Sequence, residues 1–157
     1  MEFKFSEENL IKAEASIKKY PSSKAAVMEL LYIAQEQNGF ITNEVMRETA
    51  SMLNLDTVEV LSVVTFYTMY HTKPVGKHHV QVCTNVSCML RGGYEILDCV
   101  VEKLGIRKNE VTPDQRFSIE EVECMGSCGT APMISVNYDY YENLTKEKVT
   151  EILDSLE

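Results

Sequence analysis

Lys73-Pro74-Val75-Gly76-Lys77-His78-His79-Val80-Gln81-Val82-Cys83 is the stretch on which the reading of this chain turns. Proline and glycine together interrupt regular structure at its start. Beyond them Val80 and Val82 alternate with polar neighbours, the period-two pattern of a strand, and the strand runs into a cysteine. On the other side, residues 1–72 contain no cysteine and follow a helical period. The break predicts two domains: a helical bundle over residues 1–72 and a mixed domain over residues 73–157. The fold class expected is α+β.

Reading outward towards the N-terminus, four helices are expected. The first opens after Ser6, with Glu7 and Glu8 in its first turn, and closes at Lys18-Lys19 before Pro21. A second starts near Ser22 or Ser23, carries Val27, Leu30, Leu31 and Ala34 on one face, and stops at Asn38-Gly39. Thr42 starts a third through Met46, Ala50 and Leu53. Asp56 with Glu59 forms a capping box for a fourth through Val60, Leu61 and Val64. No titratable cluster sits among these apolar stripes, so packing and docking are the expected roles of this half.

Towards the C-terminus the order is strand (His78 to Cys83), helix (Gly93 to Leu104), strand (Phe117, Ile119, Val122), strand (Met133 to Val136), a short return at Tyr140-Tyr141, and a last helix capped by Thr145. A parallel crossover followed by a hairpin and a terminal helix gives an α/β sheet layered with helices.

The bulk numbers narrow the function classes. A net charge of −9 argues against nucleic acid, whose phosphates need clustered Lys and Arg. No apolar run approaches the ~20 residues that span a bilayer. The first residues, Met1-Glu2-Phe3-Lys4-Phe5-Ser6, lack the apolar core of a secretory signal and the arginines of a transit peptide, so the expectation is a chain that is not exported. Five cysteines is an odd count, which disfavours a disulfide framework.

Four of the five fall into two pairs, Cys83-Thr84-Asn85-Val86-Ser87-Cys88 and Cys124-Met125-Gly126-Ser127-Cys128. Residues 89–123 separate the pairs, enough for a helix and a strand that return both loops to one end of a sheet. Zinc knuckles favour shorter gaps and often recruit histidine, yet His71, His78 and His79 lie away from both loops. The tight C-x₂-C-x₂-C run of many [4Fe–4S] sites is missing. Wide gaps suit a [2Fe–2S] rhomb, where each iron takes two thiolates, with zinc kept as the competing reading. Gly92, Gly93, Gly126 and Gly129 can bring backbone N–H groups close to sulfur, and Gly92 and Gly126 are the candidate donors. Arg91 either offsets cluster charge or is an ordinary surface arginine. Cys99 lies within the helical stripe beside Val100 and is read as core, outside the ligand set. His78-His79 is not a metal pair, because adjacent strand residues point to opposite faces. The Phe66-Tyr67-Thr68-Met69-Tyr70 run reads as core or interface. Pro132 stands at the position of a possible cis peptide bond.

These residues carry a resemblance. Val80-Gln81-Val82-Cys83-Thr84-Asn85-Val86-Ser87-Cys88-Met89-Leu90-Arg91-Gly92 and Val122-Glu123-Cys124-Met125-Gly126-Ser127-Cys128-Gly129-Thr130-Ala131-Pro132-Met133 resemble the family of the 24 kDa subunit of respiratory complex I, the counterpart of the E subunit in bacterial NADH–quinone oxidoreductases. Thr65 to Tyr70 and Tyr140-Tyr141-Glu142-Asn143-Leu144-Thr145 match as well. The resemblance implies a thioredoxin-like domain behind the bundle, with one [2Fe–2S] cluster per chain on Cys83, Cys88, Cys124 and Cys128. It also implies a larger flavin subunit as partner, which binds FMN and NADH. The chain would then be a redox subunit of an NADH:quinone oxidoreductase, cytoplasmic and peripheral to the inner membrane through its complex. It has no GxGxxG loop of its own for NADH or FMN. Equivalent subunits serve NAD-linked hydrogenases and formate dehydrogenases, and a zinc-stabilised interaction module is the alternative from a different class.

Overall fold

The computed structural model describes residues 2–156, and the chain divides between Pro74 and Val75 into two compact units. In the first unit, helix α1 (Glu7–Lys18) is capped by Ser6, whose hydroxyl accepts the Asn9 amide at 3.3 Å. Helices α2 (Val27–Asn38), α3 (Asn43–Leu53) and α4 (Thr57–Phe66) follow. Thr42 caps α3 by accepting the Val45 amide, and the Asp56/Glu59 capping box opens α4. Leu30, Leu31, Ala34, Val45, Leu53, Val60 and Val64 form the core of this unit.

Two expectations change here. Helical turns do begin at Ser22–Ser23 as expected, but the first of them is a 3₁₀ turn, Ser23–Ala26. The Ser23 hydroxyl donates to the Leu53 carbonyl at 2.7 Å instead of capping a helix, so the regular α-turns begin at Val27. Leu61, expected on the buried stripe of α4, is 40 % exposed. The segment after α4 turns at Tyr67–Tyr70, where the Tyr70 amide donates to the Tyr67 carbonyl, and lies against α2: Gln35 donates to the Met69 carbonyl and accepts the His71 amide, while Tyr70 donates its hydroxyl to the Met28 carbonyl. That course buries Tyr70 and leaves Phe66 77 % exposed, splitting the aromatic run between core and surface.

The second unit is a four-stranded sheet in the order β2-β1-β3-β4, with β1 His78–Cys83, β2 Phe117–Val122, β3 Ile134–Val136 and β4 Asp139–Tyr141. β1 and β2 are parallel, with His78 opposite Phe117 and Cys83 opposite Val122. β3 runs antiparallel to β1 and β4 antiparallel to β3. Between β1 and β2 lie a short helix α5 (Val86–Leu90) and the longer α6 (Gly93–Leu104). Helix α7 (Lys146–Ser155), capped by Thr145, closes the unit.

Strand alternation decides what the sheet buries. Val80, Val82, Phe117, Ile119, Ile134 and Val136 pack with Ile96, Leu97 and Val100 of α6 and Val149 and Leu153 of α7. Thirteen buried apolar side chains in one cluster are the main hold on this unit, at about 1.5–3 kcal/mol for each large one. The expected element order is the observed one, with α5 added.

Candidate metal centre

A parallel pair ends on one side of the sheet. β1 stops at Cys83 and β2 at its partner Val122, so the loops that follow, one with Cys88 and the other with Cys124 and Cys128, leave from the same end. The first loop turns at once into α5, because Asn85 caps it: its side-chain oxygen accepts the Val86 amide at 2.6 Å. One turn of helix carries Cys88 back over Cys83. Both are buried, at 3 % and 4 % exposure, in a small cluster with Ala131 and Met133. Burial, followed by the hydrogen bond and charge of Cys83, pushes the Cys88 thiol up to about 11. Cys83 donates its own thiol to the Glu123 carbonyl at 3.6 Å.

The second pair is exposed. Gly126 has φ +79°, a conformation that favours glycine, and it aims its amide at the Cys124 sulfur at 3.3 Å. Cys128 opens a single 3₁₀ turn, Cys128–Thr130, and α5 packs against that turn. The Ala131–Pro132 peptide bond that follows is cis. The Arg91 guanidinium reaches the Ala131 carbonyl at 3.4 Å, linking the end of α5 to the second loop.

Of the two candidate amide donors, Gly126 contacts a sulfur, whereas the Gly92 amide donates to the Met89 carbonyl at 3.2 Å. Gly92 turns the chain into α6 with φ +92°. Gly93 is the residue whose smallness the first pair requires. A Cβ there would lie 2.9 Å from the Cys88 carbonyl carbon and oxygen and 3.0 Å from the Cys83 carbonyl oxygen. Cys99 faces α7 instead, donating towards the Lys146 carbonyl at 3.7 Å among core side chains. The imidazole of His79 lies between the Ser118 hydroxyl (2.7 Å) and the Glu120 carboxylate (3.0 Å), and the His78 ring lies near that of Phe117.

All five cysteines are unbridged. As the side chains stand, no three of the described Cys, His, Asp and Glu residues converge into a group able to hold a metal ion. Cys83 and Cys88 are in contact, Cys128 is near enough to act on the Cys88 thiol, and Cys124 turns outward. The donor set is nevertheless chemically coherent. Four thiols sit at one sheet end, on loops anchored by strands at their roots, and sulfur donors of this kind select iron–sulfur groups or zinc.

Residues 13–157, almost the whole chain, match the thioredoxin-like [2Fe–2S] ferredoxin family. The chain belongs to that family. Among its relatives, the E subunit of the NADH-quinone oxidoreductase of Rickettsia bellii is 47 % identical over 98 % of this chain and 94 % of its own length. The NADH-quinone oxidoreductase E subunit of Rickettsia conorii is 43 % identical over 99 % and 95 %. Among solved structures, an NAD⁺-reducing [NiFe]-hydrogenase in its H₂-reduced state superposes with a TM-score of 0.69 at 16 % identity, a likeness of fold. It covers 81 % of this chain, which spans 22 % of the hydrogenase chain. Among the described residues no helix is long and apolar enough to cross a membrane.

Proposed function

We propose that this family member holds one [2Fe–2S] cluster through Cys83, Cys88, Cys124 and Cys128 and carries single electrons within an NADH–quinone oxidoreductase. The observation that supports this most is the pairing Cys83↔Val122, which sends both cysteine loops out from one end of the β1–β2 pair. Its relatives named as E subunits of NADH-quinone oxidoreductases support the setting, one subunit of a larger oxidoreductase. When bound, the group supplies a one-electron couple, set by its ligands, its hydrogen bonds and its exposure.

The chain's own residues divide the remaining work. Cys83 and Cys88 form the buried wall, and with Ala131 and Met133 they keep water from that side. Cys124 and Cys128 form the exposed wall, where an electron enters or leaves over the shortest distance. The Gly126 amide offers a fixed dipole to sulfur, and such donors favour the more negative, reduced state. Gly93 lets the first turn of α6 close on the first cysteine loop. Nothing in the sequence resembles a dinucleotide phosphate loop, so the flavin subunit of the complex is the proposed source of electrons, and residues 1–72 its proposed docking domain.

The test is anaerobic purification followed by metal and sulfide analysis. About two irons and two acid-labile sulfides per chain are expected. Stoichiometric zinc without sulfide would instead support the interaction-module reading.

A further inference from the structure

The loop that carries Cys124 and Cys128 has little to stiffen it from within. It contains Gly126 and Gly129 and is largely exposed, and ordering backbone of this kind costs conformational entropy. Its order comes from the end of β4 and the residues just after. Tyr140 donates its hydroxyl to the Met125 carbonyl at 3.1 Å. The Asn143 amide, from a left-handed residue at φ +49°, donates to the Thr130 carbonyl at 2.7 Å, and the Leu144 amide donates to the Pro132 carbonyl at 3.1 Å. Between them the carboxylate of Glu142 meets both the Ser127 and the Thr130 hydroxyls, the latter at 2.6 Å.

Ser127 and Thr130 flank Cys128, and their hydroxyl oxygens lie 2.8 Å apart. Two hydroxyls have two protons between them, and an ionised carboxylate can only accept. Each proton has an oxygen acceptor at hand, the Glu142 carboxylate for both and the Ser127 carbonyl at 3.2 Å as well for Thr130, so the hydroxyls are turned to oxygen rather than to a sulfur of Cys128. The first cysteine loop offers a contrast. There Thr84 donates to Glu121 at 2.8 Å, but Lys108 sits 2.5 Å from that carboxylate and balances its charge. Among the described residues Glu142 forms no such ion pair, and the Lys148 ammonium is spent on the neighbouring Asn143 carbonyl at 3.0 Å.

We infer that Glu142 is a positioning residue for the Cys124–Cys128 loop: it fixes the loop's shape, turns two hydroxyl donors away from sulfur, and places a negative charge with no ion-pair partner beside the site. This rests on the ligand assignment proposed above. The last two effects both disfavour an added electron, so Glu142 keeps the reduction potential low.

The full chain is compared with Glu142→Gln, which can still accept both hydroxyls but has no charge, and with Glu142→Ala, which can do neither. Glu142 is exposed, so both variants fold. In metal-free protein, hydrogen exchange over residues 124–131 is several-fold faster in Glu142→Ala and close to wild type in Glu142→Gln. In cluster-loaded protein, a redox titration followed by electron paramagnetic resonance shows a higher midpoint in both variants. At the wild-type midpoint their ratio of reduced to oxidised cluster is raised about three- to tenfold, the size expected of one nearby but solvent-exposed charge, for which water takes the effective dielectric well above 20. Unchanged exchange in Glu142→Ala, or a Glu142→Gln midpoint equal to wild type, overturns the inference. A wild-type chain that takes up no iron and sulfide overturns the ligand assignment instead, and the exchange measurement still decides the clamp.

Discussion

Single residues carry the sharpest tests. Alanine at Cys83, Cys88, Cys124 or Cys128 is expected to abolish or strongly weaken cluster retention, while Cys99→Ala leaves the visible spectrum unchanged, because Cys99 packs towards α7. Bleaching by Cys99→Ala would sink the ligand set. Gly93→Ala forces a Cβ against the Cys83 and Cys88 backbone, so it should destabilise the second unit by about 1–3 kcal/mol in urea unfolding, as overpacking does elsewhere. Glu29 gives a pH test in the first unit. Hydrogen bonds from Ser16, Lys19 and Tyr20 hold its carboxyl down to about 2. A carboxyl depressed in the folded state stabilises above its ordinary pKa near 4.5 and loses that contribution as pH falls towards 2. Unfolding midpoints should therefore drop more between pH 5 and pH 2.5 in wild type than in Glu29→Gln. The cysteine pairs were legible in the sequence because their spacing is local. The roles of Gly93, Glu29 and Glu142 were not, since each depends on a neighbour that only the fold brings near.

Elements were legible where their ends carry their own chemistry. Ser6, Thr42, Asp56 and Thr145 each stand directly before a helix, and Gly105 directly after one, so these boundaries could be read from side-chain type. Thr42→Ala is accordingly expected to cost about 1 kcal/mol of stability in thermal or urea unfolding, with no change in cluster content. Two elements escaped. The 3₁₀ turn at Ser23–Ala26 exists because the Ser23 hydroxyl is engaged by Leu53, thirty residues away. Helix α5 is five residues long, too short for any period to show, and only the Asn85 cap marks its start. It nevertheless decides the site, because without that turn Cys88 would not fold back onto Cys83.

At the scale of the molecule, the two compact units invite separate tests. A chain beginning at Val75 retains Gly76, whose amide donates to the Ser118 hydroxyl, and should keep its cluster. Under the proposed function it binds the flavin subunit more weakly than the full chain. NADH should reduce the cluster only when that subunit is present, and direct reduction of the isolated chain would overturn the carrier reading. The α+β class, the order of strands and the return of both cysteine loops to one sheet end could be read from periodicity and spacing, but the register that sets Cys83 opposite Val122 is a tertiary fact. The position of β1 also has a consequence for biosynthesis. It is an interior strand, yet β2 and β3, its two neighbours, both follow it in the chain. A ribosome releases Cys83 and Cys88 long before anything exists to cover them. The thiols best hidden in the finished protein thus spend longest in the open while it is made, and a nascent chain in an oxidising environment would lose them to sulfenic acid or mispairing before the sheet could close.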